Sequence, residues 1–139
     1  MYRTVIAAIG LVVVFSGVNV PVAAADNPVC TSTWCSFFAP SHNLGCEMNY
    51  QRGNGISDET YCQTDEPPQS VHMSSNGSFK TCTGTSCLGN AGQGTPTLAY
   101  GQTAGVGPFT CRSETSGVTC TVTSGRGFTI SNAGIVSVG

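Results

Sequence analysis

Eight cysteines, at positions 30, 35, 46, 62, 82, 87, 111 and 120, constrain this chain more than any other feature of its sequence. An even number packed into 139 residues reads as four disulfide bridges, provided the chain folds in an oxidising compartment. Local patterning favours two pairs. Cys111 ends one strand-like run and Cys120 lies inside the next, with residues 113–117 able to turn the chain, so Cys111–Cys120 is expected as a cross-strand bridge. Cys46 and Cys62 flank the turn-forming Gly53-Asn54-Gly55 and make the second expected pair. For Cys30, Cys35, Cys82 and Cys87, the local pairs 30–35 and 82–87 compete with crossed pairs such as 35–87, and the spacing leaves the choice open. Both C-x4-C pairs sit at the upper edge of structural zinc spacing. An exported chain favours disulfides over metal, so no metal is expected. A redox-active C-x-x-C pair does not occur.

Export is expected from the N-terminus. Met1-Tyr2-Arg3 starts basic, residues 5–15 form an apolar run broken only by Gly10, and Ala23-Ala24-Ala25 supplies small residues. That order is the one of a secretory signal peptide, with cleavage after Ala25. The apolar run is about half of the roughly 20 residues that a spanning helix needs. Asn27-Pro28-Val29 before Cys30 does not fit a lipid-attachment box. The expected organisation is a signal-peptide helix over 1–25, a loose lead-in over 26–36 and one disulfide-rich domain over 37–139. A secreted protein without stable membrane insertion follows. From Asp26 onward there are four basic and seven acidic residues, a net charge of −3, which excludes an electrostatic nucleic-acid binder.

Periodicity is that of strands. Leu44, Cys46, Met48 and Tyr50 alternate with Gly45, Glu47 and Asn49; Val118, Cys120 and Val122 alternate with threonines; Phe128 and Ile130 alternate with Thr129 and Ser131. Shorter runs over 61–63, 71–73, 79–83, 97–100, 109–112 and 135–138 share the β-branched and aromatic bias of strands. Between them lie turn signals at 53–55, 67–68, 76–77, 89–94, 105–108, 116–117 and 125–127. Ser75-Asn76-Gly77 is the best tight-hairpin signal. The expected fold is all-β: a small disulfide-stapled antiparallel sheet, sandwich or barrel-like domain with Gly-rich loops.

Catalytic patterns are sparse. His42 and His72 are the two histidines, and neither a G-x-S-x-G nor an H-E-x-x-H motif occurs. His42 precedes Asn43 and reads as a turn or packing residue; His72 reads as the outward face of an edge strand. Asp58-Glu59 and Asp65-Glu66 could in principle pair for sugar hydrolysis, but both read as surface loop charges. Gly125-Arg126-Gly127 reads as a turn rather than an anion site. Asn76-Gly77-Ser78 matches a glycosylation sequon by pattern alone. Trp34, Tyr50, Tyr61 and Tyr100 have no spacing that would build a sugar-stacking platform, so packing is expected of them. No catalytic, cofactor-binding or metal residue is assigned.

Several segments in order, 38–46 (FAPSHNLGC), Leu98-Ala99-Tyr100-Gly101, 107–111 (GPFTC), 116–120 (SGVTC) and 124–128 (SGRGF), resemble a family of small exported actinobacterial cysteine-rich proteins of unknown function. His42 stands where that pattern has Gly, and Arg126 where it has His. Cys30 and Cys35 are additional to its usual cysteines, and one expected near Pro67-Pro68 is missing. The resemblance implies a mycobacterial or related envelope context and carries over no activity or site. The functional expectation is a secreted, non-enzymatic binding module for an unknown protein or envelope ligand. A structural or inhibitor-like domain acting through 88–96 is the alternative, and an envelope-polymer hydrolase is a weaker one.

Overall fold

A computed structural model of the chain describes residues 28–139 except Gln93; the expected signal segment lies outside the described residues. The fold is all-β. Strands β1 (Trp34–Phe38), β2 (Leu44–Asn49), β3 (Glu59–Thr64), β4 (Gln69–Ser74) and β5 (Phe79–Thr83) form one antiparallel sheet, ordered as in the chain. A 3-10 turn, Thr85–Cys87, follows β5. Strands β6 (Thr103–Val106), β7 (Phe109–Glu114), β8 (Gly117–Thr121), β9 (Gly127–Ser131) and β10 (Gly134–Val138) form a second five-stranded antiparallel sheet, again in chain order. Every ladder joins chain neighbours, so each sheet is a plain meander.

The two sheets pack face to face, and the pattern of alternation decides what lies between them. In the first sheet one inward row runs Phe37, Cys46, Cys62, Val71 across β1 to β4. In the second the matching row runs Ala104, Cys111, Cys120, Phe128 across β6 to β9. All eight are buried. Cys46 sits directly opposite Cys62, and Cys111 opposite Cys120, and each pair is bridged across its own hairpin with Cα atoms 4.1 Å apart. The two bridges meet at the centre. Cys62 Sγ lies 3.7 Å from Cys120 Sγ, and Met48 Sδ lies 3.7 Å from Cys111 Sγ. Phe79 closes edge-on against Phe128, ring centres 5.7 Å apart.

Cys30 and Cys35 are bridged to each other, as are Cys82 and Cys87, so the four remaining cysteines pair locally. The lead-in ends earlier than residue 36. Trp34, Cys35 and Ser36 are the start of β1, paired with Asn49, Met48 and Glu47. Their alternation is hidden in the sequence because two of the three outward residues, Trp34 and Phe38, are as apolar as the inward Cys35 and Phe37. Two further differences have local causes. Residues 97–100 make only one parallel bridge, Thr97 with Phe38, before Gly101 (φ 84°) turns the chain. Gly105 and Val106, expected in a turn, belong to β6, because Ala104 and Val106 point into the core. The 75–77 hairpin has a positive φ at Gly77 alone, while the Asn76 Oδ1 accepts from Ser78 N (2.9 Å) and closes the turn with its side chain.

Asn43 ties three turns at one end of the sandwich. Its Nδ2 donates to Glu66 O (2.8 Å) and to Asn132 Oδ1 (2.9 Å), and its Oδ1 accepts from Glu66 N (2.8 Å).

Candidate functional site

The outer faces of the two sheets differ in chemistry. Across the first sheet, register places Ser36, Glu47, Tyr61, His72 and Lys80 in one outward row over five strands. A parallel row carries Phe38, Gly45, Gln63, Ser70 and Cys82. Across the second sheet the corresponding row is Thr103, Arg112, Thr119, Thr129 and Val136. The mixed acid, amide, phenol and imidazole set belongs to the first sheet alone.

That face is partly roofed. After β5 the chain turns through Thr85–Cys87, held back by the Cys82–Cys87 bridge, and residues 88–92 lie over the sheet. Gln63 fixes them as a backbone would. Its Oε1 accepts from Gly89 N (2.7 Å) and its Nε2 donates to Gly89 O (3.0 Å). The Tyr61 hydroxyl donates to Gln63 Oε1 (2.6 Å) and lies 3.0 Å from the Cys87 carbonyl. Further on, the chain joins the free side of β1, where Phe38 N donates to Pro96 O (2.9 Å) and Leu98 N to Phe38 O (2.8 Å).

A cavity of about 140 Å³ remains between this strap and the sheet. Phe38 and Tyr61 give it aromatic walls, and Ser36, Glu47, Asn90 and Thr95 give it polar atoms. Gly45 makes room in the floor, since a Cβ there would lie only 3.3 Å from the Phe38 ring. Glu47 Oε1 accepts from Asn49 Nδ2 (2.9 Å) and lies 3.4 Å from Arg52, whose guanidinium stacks 5.1 Å from the centre of the Trp34 ring. A cation beside the carboxylate offsets its charge, so the cavity is mostly apolar, with a few polar groups and little net charge. At the far end of the row His72 Nδ1 lies 3.3 Å from Glu59 Oε2, and its ring centre 4.6 Å from that of Tyr61.

The structure sorts the sequence candidates. His72 does face outward, but on β4, which β5 flanks, so it is not on an edge strand. The 75–77 hairpin and the 79–83 run supply the strand on one side, and β3 pairs on the other. His42 is a turn residue (φ 60°), stacked on Phe38 with ring centres 5.2 Å apart and 3.3 Å from Thr97 Oγ1. Asp58-Glu59 and Asp65-Glu66 sit at opposite ends of β3, roughly 20 Å apart at about 3.3 Å per residue. That is too far for the roughly 5–10 Å of a glycosidase pair. Trp34 and Tyr61 share the outer face, whereas Tyr50 packs at Gly107 and Tyr100 is exposed elsewhere. Gly125 and Arg126 lie in the β8–β9 turn, with Gly125 N donating to Val122 O (2.9 Å), and Gly127 opens β9. The sulfurs of Cys46, Cys62 and Cys120 lie within 4.8 Å of one another, and all three are oxidised in bridges. Glu47, Gln63 and Gly45 were not singled out by sequence reading; only their outward phase in an alternating strand marks them.

Comparison of the chain with family models, with curated proteins and with solved structures gives no match. Among the described residues no helix is long and apolar enough to cross a membrane.

Proposed function

We propose that the protein is an exported, non-enzymatic binding module whose recognition site is the strapped cavity on the outer face of the first sheet. The observation that carries this reading is the disulfide-held strap over a cavity with aromatic walls and a few polar groups. Loops fixed on a rigid sheet are where binding groups concentrate. Tyr61 and Gln63 spend their polar groups on holding the strap, which suits presentation of a shape rather than proton transfer. Small apolar walls beside a few polar groups suit a neutral, hydroxyl-rich ligand, such as one sugar unit of an envelope polymer. The resemblance to small exported actinobacterial proteins and the four bridges support the same setting.

Nuclear magnetic resonance titration with neutral mono- and oligosaccharides from envelope polymers tests this. The expected result is saturable shifts at Gly45, Glu47, Gly89 and Asn90, lost in Gly45→Leu, which fills the floor. A folded protein that shifts with none of them overturns the ligand class, and release of cleaved sugar overturns the non-enzymatic reading.

A further inference from the structure

Two sheets have four edges, and three of them are managed. The free side of β1 bonds to other chain: Ser36 N donates to Val29 O (2.9 Å), and Phe38 bonds to Pro96 and Leu98. β6 is the shortest strand, four residues, and turns only Thr103 and Gly105 outward, so it offers no exposed large apolar side chain. β5 carries Lys80, and the Cys82–Cys87 bridge folds the chain back at its end, where Gly84 N donates to Pro68 O (2.9 Å). Charge, covering segments and short edge strands are how natural sheets avoid pairing with other chains.

β10 has neither. It pairs with β9 on one side, and among the described residues no other backbone bond reaches it. Residues 127–139 contain no charge and no proline. Val136 is 61% exposed, more than Tyr100 or Ile56, the other exposed large hydrophobics. A row of unpaired amides and carbonyls beside an exposed valine is a template for one more strand.

We propose that β10 is a self-association edge, on which a second copy of this chain adds its own β10 antiparallel about a two-fold axis. The absence of charge selects this occupant. A two-fold contact brings each residue near its own counterpart, so an edge carrying Lys80 repels itself whereas an uncharged one does not. Pairing centred on Val136 sets the two valines opposite each other and joins the two second sheets into one continuous ten-stranded sheet. The strapped cavity lies on the other sheet of each copy, so the association leaves both cavities open and makes the assembly bivalent.

Sedimentation velocity over about a hundredfold range of protein concentration tests this, because self-association is governed by mass action. A monomer–dimer equilibrium is expected. Val136→Lys, at a side chain pointing to solvent, is expected to weaken the dimer at least tenfold without changing the far-ultraviolet spectrum. Lys80→Ala is expected to leave it unchanged. Hydrogen exchange is an independent readout: β10 amides gain protection as concentration rises. A monomer at every concentration overturns the proposal, as does a dimer indifferent to Val136→Lys whose β10 amides exchange equally at both extremes.

Discussion

The two sheets are the same plan used twice. Each is a five-stranded meander with one bridge across a hairpin, at β2–β3 in the first and β7–β8 in the second. The first adds two further bridges, the strap, and an outer face of mixed chemistry. The second has short turns and a threonine-rich outer face. Both halves solve the same packing problem, so the extra covalent constraint in the first is explained by what it presents. A strap of residues 88–92 has few apolar contacts of its own and needs the bridge and Gln63 to stay in place.

That contrast can be broken or sharpened. The largest effect is expected where the halves are alike. Phe37→Ala and Phe128→Ala, both fully buried, should each cost about 3–5 kcal/mol in denaturant unfolding. Unequal costs beyond that range would show one sheet to be the scaffold of the other. Next, replacing both cysteines of a core bridge by alanine should cost about 3 kcal/mol for the Cys46–Cys62 pair. Loss of the Cys111–Cys120 pair should cost roughly half a kcal/mol less, because it closes 9 residues rather than 16. Removing Cys82–Cys87 should cost about 2 kcal/mol at most and should speed amide exchange of Gly89 while leaving the second sheet unchanged.

Two smaller comparisons follow. Thr60 and Ser113 bury hydroxyls that have no hydrogen-bond partner among the described residues. Thr60→Val and Ser113→Ala should therefore each stabilise by about 1 kcal/mol, read as a shift in denaturant midpoint. Smallest of all are the arginines. Arg112 pairs with its strand neighbour Glu114 (2.8 Å) on an exposed face, and Arg112→Ala should change stability by less than about 0.5 kcal/mol. Arg52 also stacks on Trp34 and donates to Asn49 Oδ1 (2.8 Å), so Arg52→Ala should cost about 1 kcal/mol. Equal effects would mean that the Trp34 stack and the Asn49 bond add nothing to Arg52.

Much of the architecture was legible as period-two alternation. The runs around Leu44, Val118 and Phe128 became β2, β8 and β9, and the 79–83 run became β5 unchanged. β1 escaped because Trp34 and Phe38 on its outer face are large and apolar, which erases the polar phase of the pattern. β6 escaped because Gly105, read as turn punctuation, sits on the outer face between two inward residues. The cavity was not legible at all. It depends on register across three strands and on a loop crossing them, and neither leaves a periodic trace. Glu47 and Gln63 look like ordinary outward positions until β2 and β3 are aligned.

The contact of the two core bridges has a consequence for how the chain must be oxidised. Each correct pair is local to one hairpin, so it can close before the sheets meet. Once they have met, Cys62 and Cys120 are side by side at 3.7 Å. A thiolate left at Cys62 would then face a disulfide sulfur at attacking distance, and exchange would staple the sheets to each other instead of each hairpin to itself. Oxidation ahead of docking is the order that avoids this, so a chain assembled while still reduced is exposed to scrambling at its own centre.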